Sequence, residues 1–267
     1  MSGYDLDSGP DPATIAAARP ESDRSVEGAS GPVDAVGIGP GNLDYLTPRG
    51  ERAIRTADVV VGFETVVEFV AERTDADLLS CGYRDEAETL ERFADRVAEG
   101  ETGTAVLMGD PNHSGYQFVG KVQAAVDPPV RVIPGISSLQ VAASRARTPM
   151  EATCFVTLHK SGDLEPDLRR LRENVGERHL LVLPRPYDVM PENVAKVLLD
   201  AGADGALEAL VLERLTHADE AITRTSLGDL AARRDEVADG NSPFSDLSVL
   251  AVRAAATDDE STGAGKL

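Results

Sequence analysis

Val36-Gly37-Ile38-Gly39-Pro40-Gly41-Asn42 is the first of three glycine-containing loops that decide the fold of this chain. The second is Met108-Gly109-Asp110-Pro111-Asn112-His113-Ser114-Gly115, and the third is Ile133-Pro134-Gly135-Ile136-Ser137-Ser138. Each loop follows an apolar run and precedes a predicted helix. In α/β folds, such strand-to-helix turns gather at the carboxyl end of a parallel sheet, where ligands bind. The three loops therefore predict one shared small-molecule site.

The first loop is close to a dinucleotide-binding fingerprint but departs from it. The pattern G-x-G-x-x-G needs its third glycine for close packing of helix on strand. Counting from Gly37, Asn42 stands at that place, and Pro40 stiffens the turn. The sequence has no G-x-x-x-x-G-K-[ST] pattern, which excludes a P-loop. A tight turn that demands positive φ explains these glycines as well as a ligand does.

Strands and helices alternate through the first half of the chain. The predicted strands are residues 33–38, 59–61, 78–79, 104–108 and 130–133, and the predicted helices are residues 48–56, 64–72, 85–99, 116–126 and 137–147. Thr47 is the expected N-cap of the first helix, and Gly100 is expected to end the third. This alternation is typical of an α/β fold with a largely parallel sheet.

A second α/β domain is predicted beyond Thr148-Pro149-Met150. Its predicted strands are residues 154–158, 179–183, 207–213 and 247–253, and its predicted helices are residues 164–174, 192–200 and 227–237. Residues 220–224 are expected to pair with strand 207–213 as a hairpin. The predicted domains are thus residues 32–149 and 150–255, with a cleft between them for ligands. Residues 1–31 are predicted to be a disordered leader and residues 256–267 a flexible tail.

Charge is the most informative property of the composition. The 267 residues include 26 basic and 46 acidic side chains, a net charge of −20. This balance argues against binding to nucleic acid or to an anionic membrane surface. An acidic, lysine-poor surface is similar to that of proteins from halophiles. Such a surface repels itself in dilute buffer, so we expect the protein to unfold at low salt.

Cysteine usage and hydropathy indicate a cytoplasmic protein. Cys81 and Cys154 are too far apart in sequence for a cysteine-rich metal site or a disulfide framework, so both are expected to be small buried hydrophobes. No apolar stretch approaches membrane-spanning length, and no signal sequence begins the chain.

The order of the three loops resembles the tetrapyrrole (precorrin) methylase family. The shared patterns are G-x-G-P-G-N…L-T, G-D-P…S-G-Y and P-G-I-S-S-x-Q-x-A-A, and the resemblance covers residues 33–253. It implies two α/β domains, a homodimer, and S-adenosylmethionine as cofactor. Carried over by position, Pro40 forms a wall beside the cofactor, Gly109 and Asp110 contact its methionine portion, and Ser138 lies near it.

Each of these cofactor residues also has an ordinary structural explanation. Asp110 could cap the turn that follows it through an Asx hydrogen bond. Ser137 or Ser138 could be the N-cap of a helix. Transfer of a methyl group mainly requires that donor and acceptor be aligned, together with dipoles suited to the transition state. We therefore expect no metal and nominate no catalytic residue, since the acceptor carbon of such a macrocycle is electron-rich.

A tetrapyrrole acceptor carries many carboxylates, which arginine binds well. Residues that flank predicted strand ends or glycine turns are the candidates, although each alone is also explained as a surface charge or an ion pair. His113 is expected to face solvent and could also touch the substrate. The other candidates are Arg84, Arg145, His159, Lys160, Arg185 and Arg214.

Within the family, residues 134–145 and Glu213-Arg214-Leu215-Thr216-His217 with Glu220 most resemble the cobalt-precorrin-7 C5-methyltransferase branch. The resemblance implies methylation at C5 of cobalt-precorrin-7 in cobalamin biosynthesis. A separate C15-methyltransferase/decarboxylase would then act in the same pathway. Met108 and Asn112-His113-Ser114 depart from the family pattern and leave the macrocycle open.

Several other functions stay open at this point. Other branches of the family methylate a different precorrin position or uroporphyrinogen III, or act in diphthine synthesis; the last typically carries a different first loop. A nicotinamide-dependent oxidoreductase could use a degenerate first loop, although Asn42 argues against it. A non-catalytic protein that senses S-adenosylmethionine is the third class.

Overall fold

The computed structural model describes residues 31–160, 162–186, 188–236 and 241–255. The chain divides into two compact units, one ending at Ser138 and the other beginning at Leu139. The division falls near the start of a helix, whereas the sequence predicts a boundary at Thr148-Pro149-Met150. Almost all of the predicted leader, and the whole predicted tail, lie outside the described residues.

The first unit contains a five-stranded sheet with helices between its strands. Its strands are β1 (Val33–Gly37), β2 (Val59–Phe63), β3 (Asp77–Cys81), β4 (Gly103–Leu107) and β5 (Val130–Ile133). Its helices are α1 (Pro48–Arg55), α2 (Glu64–Val70), α3 (Glu86–Ala98) and α4 (Tyr116–Ala125). The strand order is β3-β2-β4-β1-β5 and every neighbouring pair is parallel, which confirms the predicted parallel sheet.

Both faces of this sheet are buried, which explains the continuous apolar runs of its strands. Successive strand residues point to opposite faces. Ala35 accordingly packs with Phe93 of α3 and Phe118 of α4. Val36, the next residue, packs on the other face with a cluster that includes Ile54 of α1. The sheet is therefore held rigidly between two helical layers, and its carboxyl edge is a firm base for the loops.

The helix ends follow the capping rules that the sequence suggested. The Thr47 hydroxyl accepts a hydrogen bond from the Gly50 amide at 3.1 Å, which confirms Thr47 as the N-cap of α1. Gly100 has a φ of +101° just after α3, a backbone conformation that glycine adopts without strain. α2 is shorter than predicted, because the chain tightens into a 3-10 turn at Ala71–Arg73.

The second unit contains another five-stranded sheet, of different topology. Helix α5 (Ser138–Ala146) leads into it. Its strands are β6 (Thr153–Thr157), β7 (His179–Leu183), β8 (Glu208–Glu213), β9 (Ala221–Ser226) and β10 (Ser248–Val252). Its further helices are α6 (Glu165–Asn174), α7 (Pro191–Asp200) and α8 (Leu227–Glu236). Leu171, Leu180, Val194, Leu230 and Leu250 join these helices and strands in one core.

Pairing in this second sheet is mostly antiparallel. The strand order is β6-β7-β10-β8-β9, and of its pairs only β6 with β7 is parallel. The expected hairpin is confirmed: Glu213 at the end of β8 faces Ala221 at the start of β9. The parallel arrangement predicted for the first half of the chain thus does not extend to the second.

Two further expectations concern the chain as a whole. Cys81 and Cys154 are both buried and neither forms a disulfide, which confirms them as small buried hydrophobes. Among the residues described, no helix has both the length and the apolar character needed to cross a bilayer.

Candidate functional site

The three glycine loops meet at the carboxyl edge of the first sheet. They follow β1, β4 and β5, which are neighbours in the strand order. The first and second loops are joined directly by two backbone hydrogen bonds. The Gly109 amide donates to the Gly39 carbonyl at 2.7 Å, and the Gly39 amide donates to the Gly109 carbonyl at 3.3 Å. The convergence predicted from the sequence is therefore present within the first unit.

Glycine is required at two points because the loop backbones touch. A Cβ atom added to Gly135 would lie 2.2 Å from the Gly109 oxygen and 2.6 Å from the Gly37 oxygen. A Cβ atom added to Gly37 would lie 2.5 Å from the same Gly109 oxygen. These distances are far below van der Waals contact, so any side chain there would push the three loops apart.

Gly109 differs, because its missing side chain leaves space. Its φ of +68° favours glycine. A Cβ atom there would meet nothing closer than the Ser137 Cα atom at 3.9 Å. The second loop thus presents bare backbone toward the third loop. Such a surface fits a cofactor held largely by main-chain contacts, since no side chain blocks its approach.

The Asp110 carboxylate joins the second and third loops. One oxygen accepts a hydrogen bond from the Asn112 amide at 2.8 Å, which is the Asx turn considered from the sequence. The other accepts from the Gly135 amide at 3.1 Å. Asp110 is only 8% exposed, so these bonds form out of bulk water, where charge-assisted bonds are strong. Asp110 therefore fixes the distance between the two loops that it bridges.

The other proposed cofactor residues lie on the same loops. Pro40 is buried, and Ser138 is the first residue of α5 and half-buried. Ser137, the residue before it, is 3% exposed. After Asp110 the chain forms one wide π-helical turn, Pro111–Gly115, before α4 begins. His113 lies on this turn and is exposed, as predicted.

Most of the basic candidates are held in ion pairs with local carboxylates. This arrangement satisfies their charge within the protein and corresponds to the ordinary explanation weighed from the sequence. The pairs are Arg145 with Glu220 at 2.8 Å, Lys160 with Asp167 at 2.6 Å, Arg185 with Asp188 at 2.6 Å, and Arg214 with Asp219 at 2.7 Å.

Two candidates differ from these four. Arg84 is exposed, and no residue in the described ranges pairs with its guanidinium. His159 is exposed just after β6, yet the surrounding protein atoms desolvate its imidazole and lower its pKa, an effect that the Asp246 carboxylate opposes. His159 is therefore neutral at neutral pH and can donate or accept a hydrogen bond, whereas Arg84 offers a full positive charge.

Glu220 organises the turn between β8 and β9. Its carboxylate accepts from the Arg145 guanidinium at 2.8 Å and from the Thr216 amide at 2.7 Å. Arg145 first, and the Thr216 amide in addition, hold the pKa of Glu220 below its ordinary value. Arg214 and Thr216 have φ values of +46° and +74°, a region that non-glycine residues rarely adopt. The turn is thus strained and is held by the carboxylate at its centre.

Sequence reasoning missed two features of the first unit. One is the contact of Gly37 and Gly135 with Gly109, which only the strand order reveals. The other is a row of aromatic rings formed by Tyr83, Phe63 and Phe118. The feature of the sequence that could have indicated this row is the position of Phe63 at the end of an apolar run. Over the residues described, no group of three or more His, Cys, Asp or Glu side chains could hold a metal ion.

Known proteins share both the sequence pattern and the architecture. The profile of the family Tetrapyrrole (Corrin/Porphyrin) Methylases matches residues 33–231. A probable cobalt-precorrin-7 C(5)-methyltransferase of Methanocaldococcus jannaschii is 29% identical over 196 residues, which are 73% of this chain and 90% of that protein.

Solved structures show the same fold. The methyltransferase CobJ superposes with a TM-score of 0.69 at 25% identity, covering 85% of this chain and 96% of CobJ. A uroporphyrin-III C-methyltransferase from Thermus thermophilus, solved with S-adenosylhomocysteine, gives a TM-score of 0.62 at 23% identity over 84% of this chain and 92% of that one. By its matched profile and its fold, this chain belongs to the tetrapyrrole (corrin/porphyrin) methylases, a family of S-adenosylmethionine-dependent methyltransferases.

Proposed function

We propose that this protein transfers a methyl group from S-adenosylmethionine to C5 of cobalt-precorrin-7. The observation that carries the methyl-transfer part is the convergence of three glycine loops around Gly109, in a chain whose family consists of methylases. Two observations support the choice of acceptor. The chain is similar to the Methanocaldococcus jannaschii protein, and its segment 213–220 resembles the cobalt-precorrin-7 C5-methyltransferase branch.

The proposed cofactor residues are Pro40, Gly109, Asp110 and Ser138. The backbone of Gly109 offers a contact surface without a side chain, and its neighbour Asp110 keeps that surface at a fixed distance from the third loop. Pro40 restricts the first loop, and Ser138 opens a helix whose N-terminal amides are positively polarised. These groups orient a ligand; none of them needs to form a covalent bond with it.

The chemistry of the donor explains why so little catalytic machinery is required. When bound, S-adenosylmethionine supplies an activated methyl group and its own leaving group. The task of the protein is then to hold an electron-rich ring carbon in line with that methyl group. Rigid loops that meet through backbone contacts suit this task, because misplacement by about 1 Å is enough to lower the rate markedly.

The test is a methyl-transfer assay with purified acceptors. The protein is incubated with S-adenosylmethionine labelled in its methyl group, together with cobalt-precorrin-7 or, in parallel, uroporphyrinogen III. Label in the first macrocycle alone, located at C5 by NMR, is the expected result. Label in uroporphyrinogen III alone would assign the protein to that branch instead. Binding of the donor without transfer to either macrocycle would contradict the proposal and leave a sensor or a methylase of another precorrin.

Two partner relations belong to the same proposal. The protein is expected to act as a homodimer, which light scattering at the working salt concentration will measure. If C5 is the methylated position, a separate C15-methyltransferase/decarboxylase is expected to use the product. The product of this protein should then be consumed when such an enzyme is added to the reaction.

A further inference from the structure

Three aromatic side chains form a continuous row in the first unit. The ring centroids of Tyr83 and Phe63 are 4.7 Å apart, and those of Phe63 and Phe118 are 5.3 Å apart. Phe118 is buried and Phe63 is half-buried, whereas Tyr83 is 64% exposed. Aromatic residues make up only 4% of the chain. Three of them form this row, and its last ring faces solvent.

The row lies at the same edge of the sheet as the glycine loops. Phe63 is the last residue of β2 and faces Cys81, the last residue of β3, and Tyr83 follows two residues later. Phe118 belongs to α4, which begins directly after the second glycine loop. β2 separates β3 from β4 in the strand order. With strands about 4.8 Å apart, the end of β3, which Tyr83 follows, lies about 10 Å from the end of β4, which Gly109 follows.

The turn that carries Tyr83 is fixed. The Asp85 carboxylate accepts a hydrogen bond from the Gly82 amide at 2.7 Å, and the Cys81 thiol donates to the Gly62 carbonyl at 3.4 Å. Desolvation by its neighbours, and secondarily the Glu86 carboxylate, raise the pKa of the Tyr83 phenol. The phenol is therefore protonated at neutral pH, and hydrogen bonds within the protein hold the turn that carries it.

Arg84 follows Tyr83 directly in the sequence and adds a positive charge to the same turn. Arg84 is exposed and has no carboxylate partner among the residues described, in a protein with a net charge of −20. The four ion-paired candidates of the second unit contrast with it. Tyr83 thus offers an exposed flat ring about two strand spacings from the end of β4, and the next residue offers a guanidinium that no carboxylate of the described residues pairs with. This combination suits a ligand that is broad, flat and edged with carboxylates.

We propose that Tyr83 stacks on a face of the acceptor macrocycle and that Arg84 binds one of its peripheral carboxylates. This inference rests on the proposed function, because it needs a tetrapyrrole acceptor. It adds a subsite in the turn that follows β3, separate from the cofactor loops. Neither residue transfers a proton or forms a bond; both set the position and the choice of the macrocycle.

The experiment measures binding of two probes to matched variants. Uroporphyrin III, a stable carboxylated macrocycle, is titrated by fluorescence, and S-adenosylhomocysteine is titrated by calorimetry. Tyr83→Ala and Tyr83→Phe test the ring, and Arg84→Gln tests the charge. Leu78→Ala is the control for the ring, because Leu78 is an exposed apolar residue near the start of β3, the strand that precedes Tyr83. Arg92→Gln on the exposed surface of α3 is the control for the charge.

The expected result is selective loss of macrocycle affinity. Tyr83→Ala should weaken uroporphyrin III binding about tenfold, since stacking on an aromatic face contributes on that scale, while Tyr83→Phe keeps the wild-type affinity. Arg84→Gln should weaken it by a similar factor that shrinks as salt is added. The controls, the affinity for S-adenosylhomocysteine and the oligomeric state should not change.

Each other outcome would contradict the inference in a recognisable way. If the wild type binds both probes and Tyr83→Ala matches Leu78→Ala, the subsite is wrong and the proposed function stands. If Tyr83→Ala changes the oligomeric state instead, the exposed ring belongs to an interface between copies of this chain. If the wild type binds S-adenosylhomocysteine but no macrocycle, the acceptor class and the subsite are both wrong.

Discussion

The carboxylate of Asp110 and the backbone amide of Gly135 form a hydrogen bond of 3.1 Å between two loops that are remote in sequence. The second oxygen of the same carboxylate accepts from the Asn112 amide. Asp110 thus shapes its own loop and sets the distance to the next one. A residue that resembles a cofactor ligand in the sequence is, in the structure, first of all a link between the loops that would hold the cofactor.

Replacing Asp110 should weaken cofactor binding in a protein that still folds. Asp110→Ala leaves the buried Gly135 amide without its acceptor, which costs about 1–3 kcal/mol, whereas water can replace the acceptor of the exposed Asn112. Native proteins have about 5–15 kcal/mol to lose. We expect a folded protein whose affinity for S-adenosylhomocysteine falls at least about tenfold, equivalent to about 1.4 kcal/mol. Calorimetric titration and urea unfolding measure the two effects. Unchanged affinity in the folded variant would remove the second loop from the site.

Two glycines that look alike in the sequence should behave differently. Gly109→Ala costs only the strain of positive φ, about 1–2 kcal/mol, because the nearest atom that its Cβ would meet is the Ser137 Cα atom at 3.9 Å. The methyl group would project from the bare backbone surface and reduce cofactor affinity in a folded protein.

Gly135→Ala is the matched comparison. Its Cβ would lie 2.2 Å from the Gly109 oxygen, so the loops must separate and the fold itself should lose more than about 4 kcal/mol. Thermal unfolding followed by circular dichroism separates the two variants. Equal melting temperatures for Gly109→Ala and Gly135→Ala would show that the loops do not pack as described.

The Cys81 thiol should be inert in the native protein. Burial, followed by the nearby Glu86 and Asp85 carboxylates, raises the pKa of Cys81 to about 12, and Lys121 only partly offsets this. Because the thiolate is the reactive form, a Cys154→Ala variant should react with an aromatic disulfide reagent at pH 8 only after unfolding in urea. Rapid reaction without denaturant would contradict the burial of Cys81.

The ion pair of Glu220 with Arg145 should contribute stability only above acidic pH. The pKa of Glu220 is lowered in the folded state, so its contribution is complete above the unfolded value of about 4.3 and is lost as the pH falls through the folded value. The pair is partly exposed, and its contribution is therefore expected to be below about 1 kcal/mol.

Urea unfolding of the wild type and Glu220→Gln at several pH values tests this dependence. The difference between the two proteins should be present at pH 6 and should shrink below pH 4. Arg145→Gln serves as the second arm of a double-mutant cycle. A difference that is constant across this range would assign the effect to packing of the turn rather than to the charge of Glu220.

Local chemistry made much of the first unit predictable. The β-branched run at Val130–Ile133 matches β5 at both ends, and Thr47 and Gly100 mark helix ends through capping rules that involve only neighbouring residues. The hairpin of β8 and β9 could likewise be predicted, because its two strands are close in sequence.

What the sequence did not reveal depends on strand order. The antiparallel pairing of β10 between β7 and β8 joins segments that no local pattern connects. The same holds for the contact of Gly135 with Gly109 and for the second hydrogen bond of Asp110. The sequence also did not reveal the charge partners. Arg185 pairs with Asp188, three residues away, but nothing in the sequence favoured this ion pair over a bound ligand.

The most direct test of the central claim is calorimetric titration of the wild type with S-adenosylhomocysteine, with NAD as the control. It is carried out in molar potassium chloride, in which the acidic protein is expected to be folded, as circular dichroism will verify. Saturable binding of S-adenosylhomocysteine and none of NAD is the predicted result. Binding of NAD alone to the folded protein would contradict the account and return the first glycine loop to the dinucleotide class.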